Sequence, residues 1–457
     1  MADTRFIVRT ALIVALGGFL MGFDASVISG AVSFIKPEFA LTQFELGWAV
    51  ASLTLTASLA MMCAGPLSDR LGRRPVLRLA AVLFAVSALM SALAPNFATL
   101  VISRLIGGLG VGAALIIAPM YIAEIAPAAL RGRLVSFNQL NIVVGISAAF
   151  FSNYLILRLG HSTAEWVQTL GLAQRNWRWM LGIEALPALI YFMALLSVPE
   201  SPRWLAMRGR DSEARALLTR ACGAQQAAVE LAALQQSLAG DARRERASPG
   251  ELWQPALRLV LTIGIVMAIV QQITGINAVF FYAPMIFEQS GIGADAAFMQ
   301  AALVGLVNLV FTVLAIALID RLGRRPLLAV GMTGIAVCMF ALAYGFGSAR
   351  HTLVLLGVLG FVASFAISLG PVMWVLFAEL FPNRIRGIAI SFVGLINSAV
   401  SFGVQLVFPW ELEKLGSSGT FLLYGLFAVV GLALVMKLLP ETKGRGLEEL
   451  ERALVKR

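Results

Sequence analysis

The chain has 457 residues, of which 59% are hydrophobic and 13% charged, against about 25% charged residues in ordinary soluble domains. With a mean hydropathy of +0.85, this composition excludes a water-soluble globular protein and points to helices surrounded by lipid. The net charge of +10 suggests nucleic-acid binding in other chains, but here the basic residues alternate with apolar runs in a way that membrane topology explains.

Apolar runs near the roughly 20 residues needed to cross a bilayer predict spans at 10–30, 44–67, 76–95, 98–123, 134–157 and 179–198. A second set follows at 257–285, 297–319, 327–347, 353–378, 388–409 and 419–438. The N-terminus reads as a retained first helix without a cleavage site. An even number of spans places both termini on one side. Of the 35 Lys and Arg, 28 lie on the side of the termini and even-numbered loops and six in odd-numbered loops, with Arg104 inside a span, so both termini are predicted to be cytoplasmic.

The predicted organisation is a first bundle over 1–200, a helical linker over 201–256, a second bundle over 257–440 and a tail over 441–457. In the linker, DSEARALLTR and QQAAVELAALQQSLAG have helical amphipathic spacing, and a short helix is predicted from the capping sequence Ser248-Pro249-Gly250-Glu251. Cys63, Cys222 and Cys338 are isolated, give no support to a zinc site or disulfide framework and are predicted to be small buried residues. His161 and His351 fall in loops on the side opposite the termini.

Loops on either side of the linker carry the same words in the same order. GPLSDRLGRRP at 65–75 returns as DRLGRRP at 320–326, YIAEIAPAALRGR at 121–133 as FAELFPNRIRGIA at 377–389, and PESPR at 199–203 as PETKG at 440–444. Asp69 and Asp320 are 251 residues apart, Glu124 and Glu379 255, Arg131 and Arg386 255, and Pro199 and Pro440 241. This ordered set, with QQITGIN at 271–277 and GPVMWVLFAELFP at 370–382, resembles the sugar porter family of the major facilitator superfamily over almost the whole chain. The resemblance implies an all-α membrane protein with twelve spans in two six-helix bundles around a central cavity, working by alternating access.

An ionisable group at bilayer depth costs at least about 2.5–3.5 kcal/mol and needs a reason. Among the 25 acids only Asp24 and Glu184 lie well inside a predicted span, and among the bases only Arg104. Pairing of Asp24 with Arg104 offsets the desolvation of both. The resemblance implies that Asp24 alternates between a paired, ionised form and an unpaired, protonated form; a permanent structural ion pair is the competing reading. Glu184 is a second proton candidate.

A sugar offers donating and accepting hydroxyls together with apolar C–H faces, so its cavity needs uncharged amides and an aromatic plate. Gln139, Gln271, Gln272, Asn277, Asn308 and Asn397 lie in spans where amides are costly unless turned inward, and match sugar-contacting positions of the family. The resemblance also places Trp374, after Gly370-Pro371, at a broken helix beside the sugar. Met21, Phe281 and Ser398 depart from the family's usual phenylalanine, tyrosine and tryptophan, which leaves the sugar unassigned.

By the same resemblance Asp69, Arg73, Arg74, Glu124, Arg131, Glu200 and Arg203, with Asp320, Arg324, Arg325, Glu379 and Arg386, form a cytoplasmic ionic latch, while Gly72 and Gly323 permit the tight turns. The expected function is proton-coupled monosaccharide import by a functional monomer in the lipid bilayer. It needs no cofactor, metal or nucleic acid, and the proton is its coupling ion. A facilitative uniporter is the nearest alternative, and a sugar sensor or a drug–proton antiporter more distant ones. No nucleophile–base set suggests an enzyme. Thirty Arg against five Lys suggests a GC-rich bacterial genome and an inner-membrane address.

Overall fold

The computed structural model describes residues 3–243, 249–382 and 385–441. Ser248 and most of the tail, including Thr442 to Gly444, lie outside the described residues, as does the side chain of Asp320. All regular structure among the described residues is helical. The first spans are α1 (Thr4–Glu38), α2 (Gln43–Leu71), α3 (Arg73–Ala92), α4 (Phe97–Ile125) and α5 (Ala128–Gly160), followed by a short α6 (Glu165–Leu170). The sixth span is divided into α7 (Asn176–Gly182) and α8 (Ala185–Leu196). The linker forms α9 (Pro202–Met207), α10 (Asp211–Cys222) and α11 (Ala224–Arg243), the last two matching the amphipathic stretches read from the sequence. A 3-10 turn over Pro249–Trp253 stands where the capping sequence predicts a helix.

The seventh span is α12 (Arg258–Ile273) and α13 (Ile276–Gln289), followed by α14 (Ala294–Leu322) and α15 (Arg324–Gly347). The tenth is α16 (His351–Ile367) and α17 (Leu369–Leu380), and one long helix, α18 (Arg386–Leu438), carries the last two spans. Among the described residues eleven helical segments are long and apolar enough to cross a membrane, and the 53-residue α18 accounts for two spans, because Gly416 interrupts it at φ 68°. Twelve spans result, near the predicted places. Large apolar side chains such as Leu189, Ile190 and Met193 lie more than half exposed on α8, a surface that lipid would cover without cost.

The breaks have local causes. Between α12 and α13 the chain turns at Thr274-Gly275, with Gly275 at φ 86°, a conformation that favours glycine. A Cβ there would also lie 2.7 Å from the Tyr424 ring. In the tenth span the break falls at Ser368 (φ −125°, ψ −94°), two residues before the predicted Gly370-Pro371. Pro371 then sits in the first turn of α17, where its missing N–H leaves no bond unmade.

The chain forms two compact units that are not the two sequence halves. One comprises Met1–Ala25, Thr56–Ala149 and Leu181–Arg246, the other Ser26–Leu55, Phe150–Met180 and Ala247–Arg457. Within the second unit, the ends of α1, α2 and α5 remote from the basic loops pack against the second half of the chain. Phe34 meets Phe298 at 6.2 Å, Trp48 meets Phe402 edge-on at 5.7 Å, and Phe150 meets Phe280 at 6.5 Å. Ser33 donates to Glu288 at 2.6 Å. The cysteines correct the sequence reading: Cys63 is exposed, and Cys222 and Cys338 are only partly buried.

Candidate functional site

Within the first unit, α1 carries Asp24 and α4 carries Arg104, both buried in the packed interior at 0% and 2% exposure. The start of α4 is fixed by Asn96, whose side chain accepts from Thr99 N–H at 2.9 Å. Arg104 Nη1 donates to Asp24 Oδ1, and Nη2 donates at 3.1 Å to the backbone carbonyl of the same residue. The guanidinium therefore grips both the charge and the helix that bears it. Glu184, at the break between α7 and α8, is also buried (2%) and close enough to interact electrostatically with Asp24 and Arg104. With both carboxyl groups ionised, Asp24 Oδ2 and Glu184 Oε1 are buried with no donor to accept from, and a proton on either carboxyl lets it donate to the other. Gly107 leaves the room beside them, since a Cβ there would sit 2.8 Å from Asp24 Oδ2. The sequence candidates for proton chemistry thus form one cluster of two carboxyl groups and one guanidinium.

In the second unit the amides form a hydrogen-bonded network around the break in the seventh span. Gln271 and Gln272 end α12, Asn277 begins α13 and Asn397 projects from α18. Asn397 Nδ2 donates to Gln271 Oε1 at 2.9 Å and to the Ala268 carbonyl at 3.0 Å. Gln272 Nε2 donates to Asn397 Oδ1 at 3.1 Å and to Gln271 Oε1 at 3.2 Å, while Asn277 Nδ2 donates to Gln272 Oε1 at 2.8 Å. Gln271 Nε2 reaches the Leu369 carbonyl of α17 at 3.1 Å, tying the two broken spans together. Such a set presents donors and acceptors without charge. Hydroxyls can replace its amide–amide bonds one for one, so little desolvation is left uncompensated.

Three sequence candidates stand outside this network. Asn308 is buried on α14 but makes none of its bonds, Gln139 is exposed on α5, and Trp374 on α17 is 45% exposed with its ring edge-on to Phe377 at 5.8 Å. The network also includes residues missing from the sequence reading: Ser401 Oγ accepts from Asn277 Nδ2 at 2.6 Å and from Gln405 Nε2 at 2.8 Å. Both lie in the eleventh span, where the argument that buried amides need partners applies equally to Gln405; they match no family motif word.

At the basic ends of the helices, each unit holds its own ionic cluster. In the first, Arg73 is 3% exposed and donates to Asp69 at 2.8 Å, to Glu124 through Nε and Nη2 at 3.1 Å, and to the Ser68 carbonyl at 3.1 Å. Glu200 accepts the backbone N–H groups of Arg73 and Arg74 at 2.9 and 3.3 Å, and Ser201 donates to Glu124. In the second, Arg324 donates to Glu379 at 2.7 Å, while Glu441 accepts from the backbone N–H groups of Arg324 and Arg325. Gly72 and Gly323 turn the chain at φ 105° and 93°, and a Cβ on either would press on the carboxylate of Glu200 or Glu441 respectively.

Glu441 is absent from the sequence candidates, although it follows Glu200 by the same 241 residues that separate Pro199 from Pro440. Arg131 and Arg386 bond to backbone carbonyls of Ala126 and Phe381, not to Glu124 or Glu379. Arg203 lies with Arg131 on the wall of a cavity of about 1210 Å³ between the first cluster and linker helices α10 and α11. Among the described residues no group of three or more His, Cys, Asp or Glu is placed to hold a metal ion.

The family model described as Sugar (and other) transporter matches residues 10–454. Among curated relatives, an arabinose-proton symporter of Bacillus subtilis is 38% identical over 453 residues, covering 99% of this chain and 96% of that one. A D-xylose-proton symporter of Escherichia coli is 38% identical over 482 residues, covering 98% and 96%. Among solved structures, the xylose transporter XylE from E. coli in an inward open conformation superposes with a TM-score of 0.84 at 36% identity, covering 98% of this chain and 100% of that one. The proton:xylose symporter XylE bound to 6-bromo-6-deoxy-D-glucose gives 0.76 at 37% identity, covering 99% and 100%. With its twelve spans, its doubled ionic clusters and these matches over nearly its whole length, the chain is a multi-pass membrane protein of the major facilitator fold and belongs to the Sugar (and other) transporter family.

Proposed function

We propose that the protein is a proton-coupled monosaccharide symporter working by alternating access. The observation that carries this reading is the buried Asp24–Arg104–Glu184 cluster. Two carboxyl groups against one guanidinium balance in charge when the cluster holds one proton, and a purely structural ion pair would need no second acid. Loss and gain of that proton exchange a paired Asp24 for an unpaired one, which biases the packing of α1 against α4. The curated relatives named as arabinose-proton and D-xylose-proton symporters support the same chemistry and make pentoses the first sugars to test.

In this reading Gln271, Gln272, Asn277 and Asn397 bind the sugar hydroxyls, with Gln139, Asn308 and Trp374 completing the cavity wall in the working cycle. The cycle operates on a first bundle over 1–200 and a second over 257–440, joined by the linker over 201–256, with 441–457 as a tail. The ionic clusters around Arg73 and Arg324, with Asp69, Arg74, Glu124, Arg131, Glu200, Arg203, Asp320, Arg325, Glu379 and Arg386, are the cytoplasmic latch. The protein acts as a monomer in the inner membrane with both termini cytoplasmic, needs no cofactor and is not an enzyme. Counterflow in proteoliposomes with labelled pentoses and hexoses, with and without a pH gradient, tests the proposal: exchange that the gradient converts into accumulation supports it. Exchange indifferent to the gradient makes the protein a uniporter.

A further inference from the structure

The amide network does not end at Asn277. Asn277 Nδ2 donates to Ser401 Oγ at 2.6 Å, and Ser401 Oγ also accepts from Gln405 Nε2 at 2.8 Å. Gln405 Oε1 in turn accepts from Thr54 Oγ1 of α2 at 3.0 Å. Gln405 is 1% exposed and Ser401 4%, so their groups have no water to fall back on. The Gln405 backbone is held as well: its carbonyl accepts from the buried Tyr282 hydroxyl at 2.9 Å. Tyr282 is the residue at which α13 departs from helical geometry (φ −124°, ψ 16°). One residue on, the Leu406 carbonyl stands where a Cβ on Gly47 of α2 would have to go, and Trp48 packs on Phe402. A single buried residue thus touches the amide network, the kink of the seventh span and the α2 packing contact, all within one compact unit.

We propose that Thr54, Gln405 and Ser401 form a hydrogen-bond relay that reports occupancy of the amide site to the α2–α18 contact. The proposal rests on the sugar-binding reading above. The Asn277 amide donates both to Gln272 and to Ser401. A sugar hydroxyl that takes the donation made to Ser401 leaves Ser401 Oγ with one donor, Gln405, in place of two. The Gln405 side chain then shifts toward Ser401 and loosens its hold on Thr54. These three are positioning residues, because none needs to touch sugar.

The test uses the full-length protein in detergent and in proteoliposomes, with D-xylose and L-arabinose as probes. Hydrogen exchange is followed on the peptide covering residues 43–55, binding by calorimetry and transport by counterflow. In the wild type, sugar changes the exchange of this peptide. In Thr54→Val, which keeps size and removes one hydroxyl, and in Gln405→Leu, sugar binds within about threefold of wild type, but residues 43–55 no longer respond. Counterflow falls about fivefold, as expected for one hydrogen bond of about 1 kcal/mol. The double variant is no worse than either single one. A response of residues 43–55 that persists in both variants overturns the relay, as does affinity that falls in step with counterflow, which would make Gln405 a binding residue. A wild type that binds and exchanges neither sugar defeats the sugar-binding reading itself, an outcome distinct from transporting variants that behave like wild type. Thr54→Val guards against loss of folding in Gln405→Leu.

Discussion

Replacing Asp24 by asparagine removes the titratable group at the centre of the coupling cluster while keeping its shape. The Arg104 guanidinium keeps its 3.1 Å bond to the backbone carbonyl of residue 24, and an asparagine oxygen can still accept from Nη1. What is lost is a negative charge in a site with no solvent exposure. Removing one partner of a buried pair outright costs about 3–5 kcal/mol, but here Glu184 interacts with the same arginine and supplies a replacement charge, so the variant is expected to fold.

The functional magnitude follows from the driving force. One proton moving down a gradient of one pH unit delivers about 1.4 kcal/mol, enough for about tenfold accumulation of one sugar. In vesicles with such a gradient and no membrane potential, wild type should approach tenfold accumulation of its sugar and Asp24→Asn should stop near equality. Energy-independent counterflow should persist in the variant. An Asp24→Asn protein that accumulates sugar as far as wild type would refute the assignment of the proton to this cluster.

Arg73→Ala should lower the melting temperature and raise labelling of cysteines placed at the basic ends of α2 and α4. Its effect should exceed that of Arg324→Ala, because the Arg73–Glu124 side chains are 4% and 8% exposed against 12% and 22% for Arg324–Glu379; equal losses would contradict a ranking by burial. Asn397→Ala removes donors to Gln271 and to the Ala268 carbonyl and an acceptor for Gln272. It should weaken sugar binding about tenfold or more by calorimetry, and unchanged affinity would remove the amide network from the site. Gly275→Ala adds a Cβ 2.7 Å from the Tyr424 ring at φ 86°, and should cost about 1–3 kcal/mol of stability, read as an earlier thermal transition in detergent.

The spans, the linker helices and the doubled gate words were legible because each leaves a strong local signal: about 20 apolar residues, helical amphipathic spacing, or a repeated string. The Asp24–Arg104–Glu184 cluster was legible for a related reason, since three ionisable groups at bilayer depth have few partners to choose among. The pairings at the gate were less so. Arg131 carries the same guanidinium as Arg73, and only the fold decides that Arg73 faces Glu124 while Arg131 turns to a backbone carbonyl. Glu441 is legible only through the 241-residue offset from Glu200, since it falls outside the more closely repeated words. The break at Ser368 follows from backbone geometry that its residue type does not announce, unlike Gly275. Gln405 and Ser401 fall within one apolar span whose polar members look alike until helix α2 is placed beside them.

The central claim is that sugar and proton move together, and the most direct measurement is proton flux on sugar addition. Proteoliposomes in weak buffer, with a pH dye outside and no imposed gradient, should show external alkalinisation when D-xylose or L-arabinose is added to wild type, and none with Asp24→Asn. Sugar entry by wild type with no movement of protons would contradict the account.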